Sequence, residues 1–497
     1  MRRAWTRELL GWFAALGVSI AVAGQVAASA RSELLFRDGD SLIVAMFARS
    51  ALAGGPLDWA MSSVLFLPES GVFAGVDALL PLDLDGLLAV NAVVNLLALY
   101  GVIRLTAGRR REGSAPVAWS LVALCAFGVL AATETSASRD ALELASLQLT
   151  TTYYSSTVVA VIAVIGLMRR ALDRPGFVCV VAVAPVAAVA TLTNPLFAVW
   201  ATVPLTALLA IGFFRSRARG RMLLLLAVLV GGTALGFLAR IPFSAWIANT
   251  GAGYAQPELW MQSIGYYGGL LGERLSTPLG LLGALVTAAL IVLAVLRTVR
   301  ASTDAERFVV AAGWMLPLLV TLGAIALGTH AARYLQPVAF APLLALVAAP
   351  RALRLPERPA RQAAAVASIV LLVAGGLSIP RLAAAVQAPD PDLTCVTDWV
   401  NASGRTGAGQ FWTVRLPKAH LDDPAQLVQV DNRLNAYAWL VNRTDFAVGE
   451  VSFLVEDAQS VQWELPTPAV PENVVPCGRY RILDYGSTTL PLGPPHS

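Results

Sequence analysis

"TPLGLLGALVTAALIVLAVLR", Thr277 to Arg297, runs for twenty residues without a charge before its closing arginine. The hydrocarbon core of a bilayer takes about 20 apolar residues of helix, so this stretch predicts a membrane span. Ten further runs have the same character, at 9–30, 86–106, 116–133, 155–169, 176–193, 195–214, 221–240, 307–328, 335–350 and 363–386. None carries Asp, Glu or Lys in its middle, so each can cross lipid without a buried charge.

Composition agrees with that pattern. Of 497 residues, 57% are hydrophobic and 14% charged, and mean hydropathy is +0.66. A soluble core cannot hide so much apolar surface, and the predicted fold class is an all-α polytopic membrane protein with about 11 transmembrane helices. The net charge of +4 comes almost wholly from arginine, since Lys418 is the single lysine, and the arginines fall in short clusters between apolar runs. Nucleic acid is excluded as a partner, because binding it needs a concentrated basic surface.

Arginine placement predicts orientation, since cytoplasmic connections are enriched in positive residues. With the N-terminus in the cytoplasm, connections on that side hold Arg2, Arg3 and Arg7; Arg104 and Arg109 to Arg111; Arg169, Arg170 and Arg174; Arg215, Arg217, Arg219 and Arg221; Arg297, Arg300 and Arg307; and Arg351, Arg354, Arg358 and Arg361. The opposite connections hold Arg31, Arg37, Arg49, Arg139, Arg240, Arg274 and Arg333. Segments 31–85, 134–154, 241–276 and 387–497 are therefore expected outside a cytoplasmic membrane. The N-terminus has two readings, a retained first span or a cleaved signal peptide ending at "ASA", Ala28 to Ala30. Both leave 31–85 outside.

The outward segments hold most of the sequence complexity, so function is expected on the outer face. The chain divides into a membrane domain at 1–386, with its first outer loop at 31–85, and a small extracytoplasmic α/β domain at 387–497. In the latter, 391–403 predicts a helix, and "GQFWTVRL" (409–416), "FAVGEVSFLVE" (446–456) and "RYRILDYG" (479–486) predict strands. Cys395 and Cys477 bracket most of it. In an oxidising compartment they predict a disulfide, whose loop closure is worth about 4 kcal/mol; two unpaired thiols are the other reading. Cys125 and Cys179 lie in apolar runs, and no CxxC pair or His/Cys cluster supplies a structural zinc site.

In the first outer loop, "LLFRDGDSLIVAMFARSAL" (34–52) places Asp38 and Asp40 just past the first span. Behind them, Leu42, Met46 and Phe47 share one helical face, which predicts a helix lying along the membrane interface. "DWAMSSVLFLPE" (58–69) returns as a second interfacial segment. Asp40 also suits the N-cap of the helix it precedes.

An acidic pair after the first span, an interfacial helix behind it, ten or more spans and a C-terminal outer domain resemble the GT-C superfamily. These are membrane glycosyltransferases dependent on polyprenyl-phosphate sugars, including protein mannosyltransferases and aminoarabinose transferases. The resemblance implies that Asp40, with Asp38 as neighbour, is the catalytic base. "DGD" departs from the more usual adjacent pair and leaves the assignment open between the two. An inverting transfer needs such a carboxylate to take the acceptor's hydroxyl proton as it attacks the anomeric carbon.

"THAARYLQP" (329–337) carries a second match, an Arg-Tyr followed shortly by Pro at the outer start of a late helix. The resemblance gives Arg333, with Tyr334 and His330 beside it, the phosphate of the lipid donor; a guanidinium suits that task by its planar fork. The alternative for Arg333 and Tyr334 is an interfacial anchor. "ELWMQSIGYYGG" (258–269) offers Trp260, Tyr266 and Tyr267, and "TTTYYSS" (150–156) offers Tyr153 and Tyr154, as faces for sugar or isoprene or as aromatic-belt residues.

The expected function is a membrane glycosyltransferase acting on a polyprenyl-phosphate sugar and a glycan, lipid or protein acceptor. No cofactor is required by the sequence; a divalent cation at the two aspartates is compatible, and any metal site is unknown. Two other classes compete. A lipid or polysaccharide transporter or flippase would usually need ionisable residues in mid-span, and a non-catalytic GT-C-like protein of envelope assembly would share this topology. If transfer is the function, Asp38 or Asp40 and Arg333 are expected to line one cavity.

Overall fold

The computed structural model describes residues 2–174, 176–215, 218–351, 357–466 and 468–497. Arg217 and Arg354 of the basic clusters lie outside the described residues. Among those described, eight helices are long and apolar enough to cross a membrane: Trp5–Ala27, Leu84–Thr106, Ser155–Asp173, Ala198–Arg215, Arg219–Ala239, Pro278–Arg300, Asp304–Ala326 and Ala365–Val386. The protein is a polytopic helical membrane protein with a strand-containing C-terminal region.

The remaining three apolar runs form shorter helices. Pro116–Ala132 and Phe177–Thr193 have 17 residues each. Ala332–Val347 breaks into single turns, because Pro337 and Pro342 each remove an amide donor. Phe340, Ala341, Leu343, Leu344 and Ala345 in it are fully buried. Its last carbonyls are taken by arginines from other helices: Arg169 Nη1 and Nη2 donate to Val347 O (3.0 Å) and Ala348 O (2.6 Å), and Arg297 Nη1 donates to Ala345 O (2.5 Å).

The chain falls into two compact units. The first comprises 1–35, 89–242 and 252–385 and contains most of the long helices. Without a polar solvent to drive helices together, close backbone approach carries the packing. Gly232 and Gly236 supply it: a Cβ there would lie 2.6 Å from Ala184 O and 2.5 Å from Ala188 O of the Phe177–Thr193 helix.

The second unit comprises 36–88, 243–251 and 386–497. Among the described residues its main sheet has seven strands: β1 Gly407–Gln410, β2 Leu427–Val430, β3 Asn435–Tyr437, β4 Phe453–Glu456, β5 Asn473–Cys477, β6 Tyr480–Asp484 and β7 Gly493–His496. The spatial order is β7-β3-β2-β1-β4-β6-β5, with β1 parallel to both β2 and β4 and the β4-β6-β5 edge antiparallel. A parallel pair needs a crossover, and the Phe411–His420 helix provides it between β1 and β2.

The predicted strand at 409–416 is therefore corrected. Only Gly409 and Gln410 belong to β1, and Phe411 onward is helical, because Val414 packs inward with Val396, Val400 and Phe453 while Arg415 and Lys418 turn to other buried partners. The helix at 391–403 forms as Pro391–Ser403. Asp390 caps it through Leu393 N (3.1 Å), and Gly404 ends it in the left-handed conformation at φ 61°. Cys395 on this helix is disulfide-bonded to Cys477 at the end of β5.

The first-loop helix forms as expected, over Ile43–Leu52, and Ile43 to Ala48 are buried, so that the apolar residues of its first turns are covered by protein. Phe47 stands edge-on to Trp59 and to Trp246, with centroids 5.4 and 5.7 Å apart. Trp59–Ala60 is a short strand, antiparallel to Val441–Asn442.

Candidate functional site

The Asp38-Gly39-Asp40 stretch is a tight turn in the second unit. Ser41 N donates to Asp38 O (2.8 Å) and to the Asp38 carboxylate (3.3 Å), and Ile43 N donates to Asp40 O (3.5 Å). The helix begins at Ile43 with Leu42 as N-cap and no side-chain cap. Asp40 as N-cap is thus corrected; two further residues of turn separate it from the helix.

Two residues of the Phe411–His420 helix, Arg415 and Trp412, approach this turn. Arg415 is fully buried; its Nε donates to Gly39 O (3.2 Å) and its Nη1 to Leu440 O, with the guanidinium 5.1 Å from the Phe411 ring centroid. Gly39 permits this approach, since a Cβ there would lie 3.3 Å from Arg415 Cβ and Cγ and from Trp412 Cε3. Burial pushes the Arg415 guanidinium down to about 10, against the opposing pull of Asp40, Asp38 and Asp445. One turn on, Lys418 Nζ is bound by Asp445 (2.9 Å) and by Pro424 O and Leu427 O (2.5 and 2.7 Å).

The first unit gathers most of the other singled-out residues. Arg333 Nε donates to the Tyr154 hydroxyl (3.3 Å), and the Arg333 guanidinium lies 5.8 Å from the Tyr334 ring. Tyr154 stands edge-on to Trp200, whose Nε1 donates to Tyr334 O (2.9 Å), and Gln336 Nε2 donates to Tyr153 O (2.8 Å). Tyr154 itself is the N-cap of the Ser155–Asp173 helix at φ 66°. A bulky residue there costs of order 1–2 kcal/mol and persists where the surroundings hold it.

The second aromatic pair meets the same segment. The Tyr267 hydroxyl shares a hydrogen bond with Thr329 Oγ1 (2.7 Å), and Tyr266 stands 5.3 Å from His330. Burial pushes the Tyr267 hydroxyl up, and its bond with Thr329 opposes this. His330 and Trp260 are exposed, Trp260 at 48%.

Beside these residues runs a buried charge network. Arg31, 1% exposed, donates to Ser146 Oγ (2.8 Å) and to the carbonyls of Ser136, Ser138 and Glu143 (3.0, 2.9 and 2.9 Å). Glu143 also meets Arg274 at 3.3 Å, and Glu134 accepts from the amides of Ala145 and Ser146 (2.8 and 2.7 Å). Two of the arginines that break the positive-inside pattern are accounted for by this network.

Sequence reasoning missed Arg415, Lys418, Asp445, Trp200, Gln336 and this network. Lys418 carried one signal, as the single lysine of the chain; Gln336 carried another, as a polar residue opening an apolar run. Among the described residues, no three or more His, Cys, Asp or Glu side chains come together in a way that could hold a metal ion. No family model matches the sequence, and no curated protein matches it.

Proposed function

We propose that the protein is a glycosyltransferase of the cytoplasmic membrane that moves a sugar from a polyprenyl-phosphate donor to an acceptor on the extracytoplasmic side. The observation that carries this reading is the convergence of Tyr153–Tyr154, Tyr266–Tyr267 and His330–Tyr334 around Arg333, segments with no sequence proximity that the motifs had singled out separately. Such a cluster offers a fixed positive charge for phosphate and aromatic faces for isoprene or sugar.

In the proposed reaction the Asp40 carboxylate takes the proton of the acceptor hydroxyl, whose oxygen attacks the anomeric carbon. The bond from that carbon to the phosphate oxygen breaks with inversion, and the electron pair leaves with the lipid phosphate, whose charge Arg333 stabilises. Asp40 takes this role on the resemblance alone, with Asp38 as its neighbour in the same turn. The proposed topology has eleven crossings, the three shorter apolar runs included, with the N-terminus cytoplasmic and the C-terminal segment outside. A helix of 17 residues spans roughly 26 Å at about 1.5 Å per residue, close to the thickness of the hydrocarbon core.

The test is release of polyprenyl phosphate from lipid-linked sugars in membrane vesicles carrying the protein. Wild type is expected to release it, Asp40→Asn is expected not to, and the two are expected at equal levels in the membrane. Equal release by an Asp38→Asn/Asp40→Asn double variant would remove the proposed base.

A further inference from the structure

We propose that Arg415 is a positioning residue for the Asp38-Gly39-Asp40 turn, fixing its backbone and setting the positive charge that its two carboxylates face. This rests on the reading of that turn as the source of the base.

Four observations carry it. Arg415 sits 376 residues away in the chain, yet donates directly to Gly39 O between the two aspartates. The turn has a glycine where a side chain would push against Arg415 and Trp412. The carbonyl that takes the other arm of the fork belongs to Leu440, held at φ 52°, a conformation a branched residue rarely adopts. The turn is also held at its other end, where Arg37 pairs with Asp390 at 3.4 Å.

The charges around Arg415 divide in a way that favours this role. The charges of Asp40, Asp38 and Asp445 favour its protonated form, and Lys418 is a cation close enough to repel it. Lys418 is bonded to Asp445, whereas Arg415 donates into the turn itself, at Gly39 O. Burying a guanidinium is costly, and an apolar side chain of similar volume would fill the same space without that cost. A residue serving only as packing has no need of the charge.

Two measurements on the full-length protein in lipid nanodiscs or native membranes test the inference. The first is hydrogen exchange followed by mass spectrometry. Arg415→Met is expected to raise exchange of amides in 36–47 about tenfold or more, as loss of a bond from a charged donor implies, while peptides of the long helices stay protected. Gly39→Ala is expected to do the same from the other side, and serves where Arg415→Met folds poorly. The second is the pH profile of polyprenyl phosphate release. Arg415→Met is expected to move its acid limb to higher pH, because the base loses a cationic neighbour. Arg415→Lys is expected to leave that limb in place and lower the plateau. Unchanged exchange at 36–47, or a plateau lowered equally at every pH in Arg415→Met, overturns the positioning role. Full release by the Asp38→Asn/Asp40→Asn variant overturns the base reading and with it the catalytic meaning of the clamp, whatever the exchange shows.

Discussion

The Arg333 side chain donates through Nε to the hydroxyl of Tyr154, 179 residues earlier in the chain, at 3.3 Å. The tyrosine is held for this by a left-handed backbone at its own position and by the Trp200 ring behind it. An arginine with five donors that commits Nε to a hydroxyl keeps a defined orientation for its remaining donors.

Tyr154→Phe removes that bond and keeps the ring contact with Trp200. A hydrogen bond from a charged donor is worth about 1.5 kcal/mol or more, so the donor concentration giving half-maximal release is expected to rise roughly tenfold, with the maximal rate little changed. Arg333→Ala is expected to weaken donor use more severely. Titration of lipid-linked sugar into vesicles separates the two effects.

Glu143→Gln is expected to destabilise the first unit by about 3 kcal/mol, chiefly because Arg274 loses its carboxylate partner while Arg31 keeps the charge of Glu134. Thermal unfolding in detergent measures this. An unchanged midpoint would show that the network contributes no stability.

Labelling of thiols in unfolded, unreduced protein is expected to modify Cys125 and Cys179 only, and labelling after reduction to modify Cys395 and Cys477 as well. The Cys395→Ala/Cys477→Ala variant is expected to lose about 4 kcal/mol of stability in the second unit, from the 82-residue separation the bridge closes.

Acid sensitivity has a specific source in Arg405 and Asp484, 2.9 Å apart. The bond from Arg405 holds the Asp484 carboxyl below its ordinary value of 3.8. A carboxyl with a depressed folded pKa contributes stability that is fully present above the unfolded value and lost as pH falls through the folded one. Asp484→Asn is expected to lower stability at neutral pH and to flatten its decline in that acid window, as read from unfolding midpoints across pH.

Much of this architecture is legible in the sequence, for a physical reason. A helix in lipid must be apolar along its whole length, so Pro278–Arg300 and its counterparts announce themselves. At 335–350 the same signal does not show how the segment is built; only Pro337 and Pro342 hint at the broken turns. "FWTVRL" alternates like a strand, yet it is a helix whose polar residues point to buried partners. Arg333 and the tyrosine pairs stand out because polar and aromatic residues at the ends of apolar runs are few. Arg415 does not, since nothing near it in the chain shows that its partner is Gly39.

The central claim is most directly tested by mass spectrometry of lipid-linked sugars and envelope glycans from cells that contain the wild-type protein, the Asp40→Asn variant or neither. Transfer by this protein predicts one lipid-linked sugar that accumulates, and one glycan modification that disappears, both without the protein and with Asp40→Asn present at wild-type level. Identical profiles in all three cells, or full modification with the Asp38→Asn/Asp40→Asn variant, would contradict it.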